Sequence, residues 1–159
     1  METYIVTRED IEAYEGIAKT HFLNENAKRT NKSLGDLTGL TGFGFHIIEI
    51  EPGFESTELH RHYYEDECVY ILEGEAEATI GDAQYPVKPG DFIGYRAGGE
   101  AHKLKNIGSD TLRCIVVGQR LPHDVADYPS QQKRIYRNQG MPWNLVDLDN
   151  ISKPAAGQK

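Results

Sequence analysis

At 159 residues and 17.9 kDa the chain is sized for one domain with one hydrophobic core, and 38% hydrophobic with 26% charged residues is an ordinary globular composition. A formal charge of -8 and a pI near 5.2 argue against a nucleic-acid backbone or an anionic membrane as the main partner, since both demand a basic surface. Met1 to Asp10 is polar, with no basic start followed by an apolar run, and no segment is long enough to span a bilayer, so a cytoplasmic protein is expected. Cys68 and Cys114 lie inside predicted strands and read as two buried reduced thiols rather than a disulfide framework.

In chain order, Met1 to Val6 has a weak strand pattern. Thr7, with Asp10 three residues later, has the form of a capping box and predicts a short helix from Ile11 to Ala18. Asn24 to Leu40, rich in Asn, Lys, Thr and Gly, predicts a loop with little regular structure. Phe43 to Glu51 alternates as the first core strand, with His46, Ile48 and Ile50 on one face, and ends at Pro52-Gly53. His46 would look into any central cavity if that face is the inner one, although the commoner role for such a histidine is a satisfied core residue. Cys68 to Leu72 and Ala76 to Ile80 predict a hairpin around Gly74, followed by a turn at Gly81-Asp82 into Gln84 to Val87. Phe92 to Tyr95, Ala101 to Lys105 and Thr111 to Gly118 complete a run of short strands with glycine-marked turns. Such a run predicts an antiparallel sandwich or small barrel. Gln119 to Lys159, with four prolines, reads as no core strand run. Tyr128, Ile135, Tyr136, Trp143 and Leu145 nevertheless make it too apolar for a free tail, so an arm lying on the barrel or across a second subunit is expected.

The chemistry is concentrated between Gly53 and Gly74. His60 and His62 stand two apart, so in a strand both imidazoles share a face, and Glu67 opens the next strand after a short polar turn. Two neutral imidazoles and a carboxylate suit a divalent transition metal, and His102, from a separate stretch, is a candidate fourth ligand. Zn, Fe, Mn and Ni all accept this set. Tyr63, Tyr64, Tyr95 and Arg96 flank the ligands in sequence. Tyr64 and Arg96, close to Glu67 and to the His102 loop, are the favoured candidates for catalytic contact with a substrate. No Ser-His-Asp or Cys-His arrangement and no phosphate-cradling P-loop stands out.

The two stretches together resemble the cupin superfamily. Gly53, His60, His62, Glu67 and Gly74 match its first motif, with one extra residue between Gly53 and His60. Gly90, Gly99, His102 and Asn106 match its second, with Ala97 where the family usually has proline and Gly90 one residue further from it than usual. The resemblance implies an all-β double-stranded β-helix, or jelly-roll barrel, over residues 43–118, with an N-terminal extension over 1–42 and the C-terminal arm over 119–159. It implies that His60, His62, Glu67 and His102 hold one metal ion. It also points, with the apolar residues of the two terminal segments, to a homodimer.

Cupins carry out many chemistries and some carry out none, so the fold does not choose a reaction. The resemblance to compact bacterial single-domain cupins, among them sugar-phosphate isomerase-like and polyketide-pathway proteins, implies a small metal-dependent enzyme, isomerase-like or oxygen-dependent, acting on a small polar oxygenated substrate. The other reading is a cupin that binds or senses a small molecule without turnover. The complete ligand set favours the enzyme, because a site with open coordination positions is what separates a catalytic metal from a closed structural one.

Overall fold

The computed structural model describes residues 3–157. Thr7 caps a helix, α1 (Arg8–Ala13), through the expected capping box with Asp10. The helix starts earlier and stops sooner than the sequence predicts, because Tyr14 is already extended and Gly16 takes a left-handed φ of +79°. Residues 3–6 form no strand, and residues 1 and 2 of the expected weak strand lie outside the described residues.

Next come β1 (Ile17–His21), β2 (Asn24–Ser33), a four-residue helix α2 (Leu34–Leu37), β3 (Phe43–Ile50), β4 (Arg61–His62), β5 (Glu67–Glu73), β6 (Ala76–Ile80) and β7 (Ala83–Val87). The chain continues through β8 (Phe92–Tyr95), β9 (His102–Asn106), β10 (Leu112–Gln119), β11 (His123–Tyr128), β12 (Lys133–Asn138) and β13 (Asn144–Asp147). Among the described residues three antiparallel sheets result, in the orders β1-β2-β3-β10-β5-β8, β7-β6-β9 and β13-β12-β11-β4. The fold is the all-β jelly roll that the sequence predicts. Among the described residues no helix is long and apolar enough to cross a membrane.

The main core lies between the first two sheets. Ile48, Ile50, Val69, Ile71, Ile93, Leu112 and Cys114 of the six-stranded sheet pack with Ala76, Ala78 and Leu104 of the three-stranded one. Alternation explains the choice: Val69 and Ile71 face in while Tyr70 is exposed, as expected from their period of two. Cys114 is buried and Cys68 half-buried, and both are free. Asn106, fully buried, ties the end of β9 to its surroundings. Its Nδ2 donates to the carbonyls of Ile50 at 2.7 Å and Asp110 at 2.9 Å, and its Oδ1 accepts from Gly108 N–H at 2.9 Å.

Three sequence expectations are corrected. Asn24 to Leu40 is not a loop but begins with β2, ten residues long, paired with both β1 and β3. Its pattern is polar because its inner side faces a cavity rather than the core, so apolar periodicity is missing. Gly74 is not the turn of a hairpin: β5 and β6 belong to different sheets, and the glycine (φ +84°) carries the chain from one to the other. A Cβ there would stand 2.9 Å from Leu112 Cα. The segment after Gly118 does supply strands to a core. Ala126, Tyr128 and Ile135 of β11 and β12 are buried as a second cluster with Leu23, and β11 pairs with β4 at His62. Its prolines fall outside β11, β12 and β13, which leaves the ladders intact.

Candidate metal centre

His60 and His102 face each other across an isolated antiparallel bridge, with His60 N–H donating to His102 O at 3.3 Å and His102 N–H to His60 O at 2.8 Å. Alternation from His60 puts His62 on the same side, at the end of β4, and Glu67 enters from the start of β5 on the facing sheet. Side-chain ligand atoms of His60, His62 and Glu67 lie within 4.8 Å of one another. His102 Nε2 is 3.7 Å from Glu67 Oε1, and the His60 ring is 4.7 Å from that of His102. The four residues singled out by spacing are thus brought together at one end of the barrel interior.

Their outer hydrogen bonds define how they present themselves. His60 Nδ1 donates to Glu58 O at 2.9 Å, His102 Nδ1 to Glu100 O at 3.2 Å, and His62 Nδ1 to Asp124 Oδ2 at 2.6 Å. Carbonyls and a carboxylate can only accept, so each Nδ1 carries a hydrogen, the tautomer that leaves the Nε2 lone pair available to a ligand. The buried Nε2 of His102 has no hydrogen-bond partner. Burial, reinforced by His102, pushes the His60 imidazole down to about 3, so it is neutral at ordinary pH. Burial alone would raise the Glu67 carboxyl, but the surrounding imidazoles outweigh it and hold it at about 2. A carboxylate among free imidazole nitrogens, each oriented by an oxygen acceptor behind it, is a donor set that fits a divalent transition metal.

The cluster opens into a cavity of about 460 Å³, within the range of small-molecule sites. Tyr95 lines it, stacked on the His102 ring at 3.6 Å with its buried hydroxyl unpartnered. His46 also lines the cavity, with its Nδ1 3.2 Å from Asn31 Nδ2. The two favoured catalytic candidates are placed elsewhere. Tyr64 is 60% exposed and does not line the cavity. Arg96, exposed after inward-facing Tyr95, lines a separate, more open groove with Phe43, Cys68 and Val117, which Glu67 and Tyr95 also border. Tyr63 donates to Asp127 Oδ2 at 2.7 Å and accepts from Arg61 and Arg134, away from the ligands.

Residues that the sequence did not single out complete the walls. Asp124, fully buried on β11, holds His62 and accepts from Arg137 at 2.6 Å, while Arg137 also donates to Glu65. Burial would raise the Asp124 carboxyl, yet His62 and Arg137 keep it at about 2. Trp143 lies over the Arg137 guanidinium at 5.4 Å. Tyr128, Ile135 and Trp143 are expected from the sequence only as apolar residues of an arm on the barrel, and for Asp124 the available signal is its alternation with Ala126 and Tyr128.

Residues 46–118 match the cupin domain family model. The whole chain is similar to a solved protein from Acidithiobacillus ferrooxidans provisionally assigned as a sugar phosphate isomerase: 51% identity, covering 95% of this chain and 96% of that one, TM-score 0.91. A cupin-superfamily sugar phosphate isomerase from Silicibacter pomeroyi is similar at 28% identity, covering 94% and 97%, TM-score 0.81. Among curated relatives, an oxalate-binding protein from Thermotoga maritima is 34% identical over 73 residues, 46% of this chain and 59% of that protein. The chain spans about half the length of the curated relatives it matches.

Proposed function

The chain belongs to the cupin superfamily, and from that premise we propose that it is a metal-dependent enzyme with an isomerase-like activity on a small polar oxygenated substrate. The observation that carries this reading is the set of three imidazoles whose Nδ1 atoms are occupied and whose Nε2 atoms are free beside Glu67. In this reading His60, His62, Glu67 and His102 hold one divalent metal, drawn from Zn, Fe, Mn and Ni. When bound, such an ion supplies Lewis-acid polarisation of a substrate oxygen, or oxygen chemistry if it is iron. Tyr95, buried and unpartnered against His102, keeps its phenolic proton because burial raises its pKa, and donates a hydrogen bond to a substrate oxygen. Asp124 and Glu58 O orient the two histidines of the β4 region, and Tyr128 and Trp143 add aromatic surface to the cavity wall. The barrel core of residues 43–118 carries the ion, while residues of the N-terminal extension such as Arg29 and of the C-terminal arm such as Arg137 add to the walls around it.

A second reading, binding without turnover, is favoured by the state of Glu65, a cavity carboxylate tied to Arg137 that does not stand free as a base. The similarity to an oxalate-binding protein supports it too. Elemental analysis of protein purified without added metal, followed by NMR of hydroxy-carbonyl compounds and sugar phosphates incubated with it, separates the readings. Metal near one per chain with turnover abolished by chelation is expected. Metal-dependent binding with no product would establish the second reading, and absence of metal from a folded protein would overturn both.

A homodimer completes the proposal. Phe43, Tyr70 and Phe92 are exposed on the outer face of the six-stranded sheet, with Phe92 at 67%, and pairing of this face would cover them. Light scattering should give twice the 17.9 kDa chain mass.

A further inference from the structure

Lys19 and Arg29 are directly opposite each other in the β1-β2 ladder, and both line the cavity that holds the histidine cluster. Residues opposed in this way share a face with Cβ atoms about 5 Å apart, and two like charges there repel. Five cationic side chains line the cavity. Lys103 is paired with Glu55 at 2.7 Å, Arg120 with Asp36 at 2.5 Å, and Arg137 with Asp124 at 2.6 Å. Among the described residues Lys19 and Arg29 alone of the five form no ion pair. The repelling pair is therefore also the uncompensated pair.

Arg29 is largely withdrawn from solvent and anchored by one guanidinium nitrogen to the carbonyl of Ser56. Burial works against its charge, and the opposing influence comes from Glu67, a carboxylate already committed to the histidines. Beside it, His21 Nδ1 accepts from Leu23 N–H at 3.1 Å, which places the ring hydrogen of the neutral form on Nε2 and adds an uncharged donor to the wall. Lys19 is exposed and Arg29 half-buried, and among the described residues neither has an ion-pair partner, so the largely withdrawn guanidinium is retained at a cost.

We propose that Lys19 and Arg29 form an anion subsite for the phosphate or carboxylate end of a small organic substrate whose other end reaches the histidine cluster. A guanidinium pairs bidentately with either oxyanion, and the opposed ammonium supplies a second charge. On the inner face of the six-stranded sheet β3 and β10 separate β2 from β5, and by register Thr30, beside Arg29, is level with Arg113 whereas Glu67 is level with Gly118, so a ligand joining the two sites extends along the cavity as well as across it. The substrate class rests on the metal-dependent reading of the cavity, whereas the anion pair stands without it.

Calorimetry on the full chain tests this with inorganic phosphate and with acetate, each on chelator-treated and on metal-loaded protein, so that binding to the ion is separated from binding to the cations. Chelator-treated wild type should bind at least one of the two anions, and the tighter one identifies the head group. Arg29→Met should weaken that binding at least about tenfold, the range for a lost charge-assisted bond, and Arg29→Lys by less, with metal content unchanged. Lys19→Met, on an exposed position of an edge strand, keeps the fold and should weaken it about threefold. Wild-type affinity in Lys19→Met together with either Arg29 variant, or no binding of either anion by chelator-treated wild type, overturns the subsite. Loss of metal binding with anion binding intact would instead overturn the metal reading alone.

Discussion

The two ends of the barrel interior are built from the same strands and do opposite work. Along β5 the inward residues run Glu67, Val69, Ile71; along β3, His46, Ile48, Ile50; along β9, His102, Leu104, Asn106. Each strand is polar at the end facing the cavity and apolar, or hydrogen-bonded shut by Asn106, at the other. Ile50, Ile71 and Leu112 are fully buried in the closed end, while His102 Nε2 and Tyr95 Oη are buried at the open end without partners. Apolar packing is therefore concentrated at the closed end, and His102 Nε2 and Tyr95 Oη, two of the buried side-chain atoms left without hydrogen-bond partners, are placed where a ligand can reach them. Two residues along one strand are enough to pass from one regime to the other.

This division predicts separable effects. The largest is at the open end: His60→Ala combined with His102→Ala should remove essentially all bound metal while the chelator-treated protein melts close to wild type. Elemental analysis and thermal unfolding check it. Stoichiometric metal in the double variant would remove these residues from the centre, and a melting point lowered as far as in the closed-end variants would break the division itself.

At the closed end, Ile71→Ala should cost about 2 to 5 kcal/mol of stability, the range for deleting a buried branched side chain and leaving a cavity. Metal content per folded molecule should not change, as measured by denaturant unfolding beside metal analysis. Asp124→Asn lies between the regimes. It keeps the shape but weakens the hold on His62 and Arg137, so metal affinity should fall about 10- to 100-fold, as for other outer partners of metal ligands. A competition titration with a coloured chelator would read this, and unchanged affinity would make Asp124 a purely structural partner of Arg137. The smallest effects are expected from Arg96→Lys and Tyr64→Phe, both outside the cavity, each within about 0.5 kcal/mol in stability and in anion affinity. A clear loss of anion binding in Arg96→Lys would return the outer groove to the site.

The four candidate ligands were legible because their signal is local. A period of two places His60 with His62, and His102 with Leu104, on one face whatever the strand pairs with, and the same rule assigned Val69 and Ile71 inward. The capping box at Thr7 and the turn at Gly81-Asp82 were legible for the same reason: a few adjacent residues contain the whole interaction.

Tertiary structure alone decided which strands share a sheet and what stands behind the ligands. Gly74 gives the same sequence signal whether the chain doubles back as a hairpin or crosses to another sheet, and the packing of Leu112 against it selects the crossing. β2 carries no apolar alternation because its inner face meets a cavity, so a periodicity rule passes over it. Asp124 lies 62 residues from His62, and Arg137 reaches Glu65 across 72. Arg29 faces Lys19 only because of the β1-β2 register, and Arg96 turns away only because Tyr95 is the residue facing in. Side-chain periodicity is a property of a strand by itself and is written in neighbouring residues. Sheet order, and with it the company each polar group keeps, is set by how the strands pack, which one stretch of sequence does not contain.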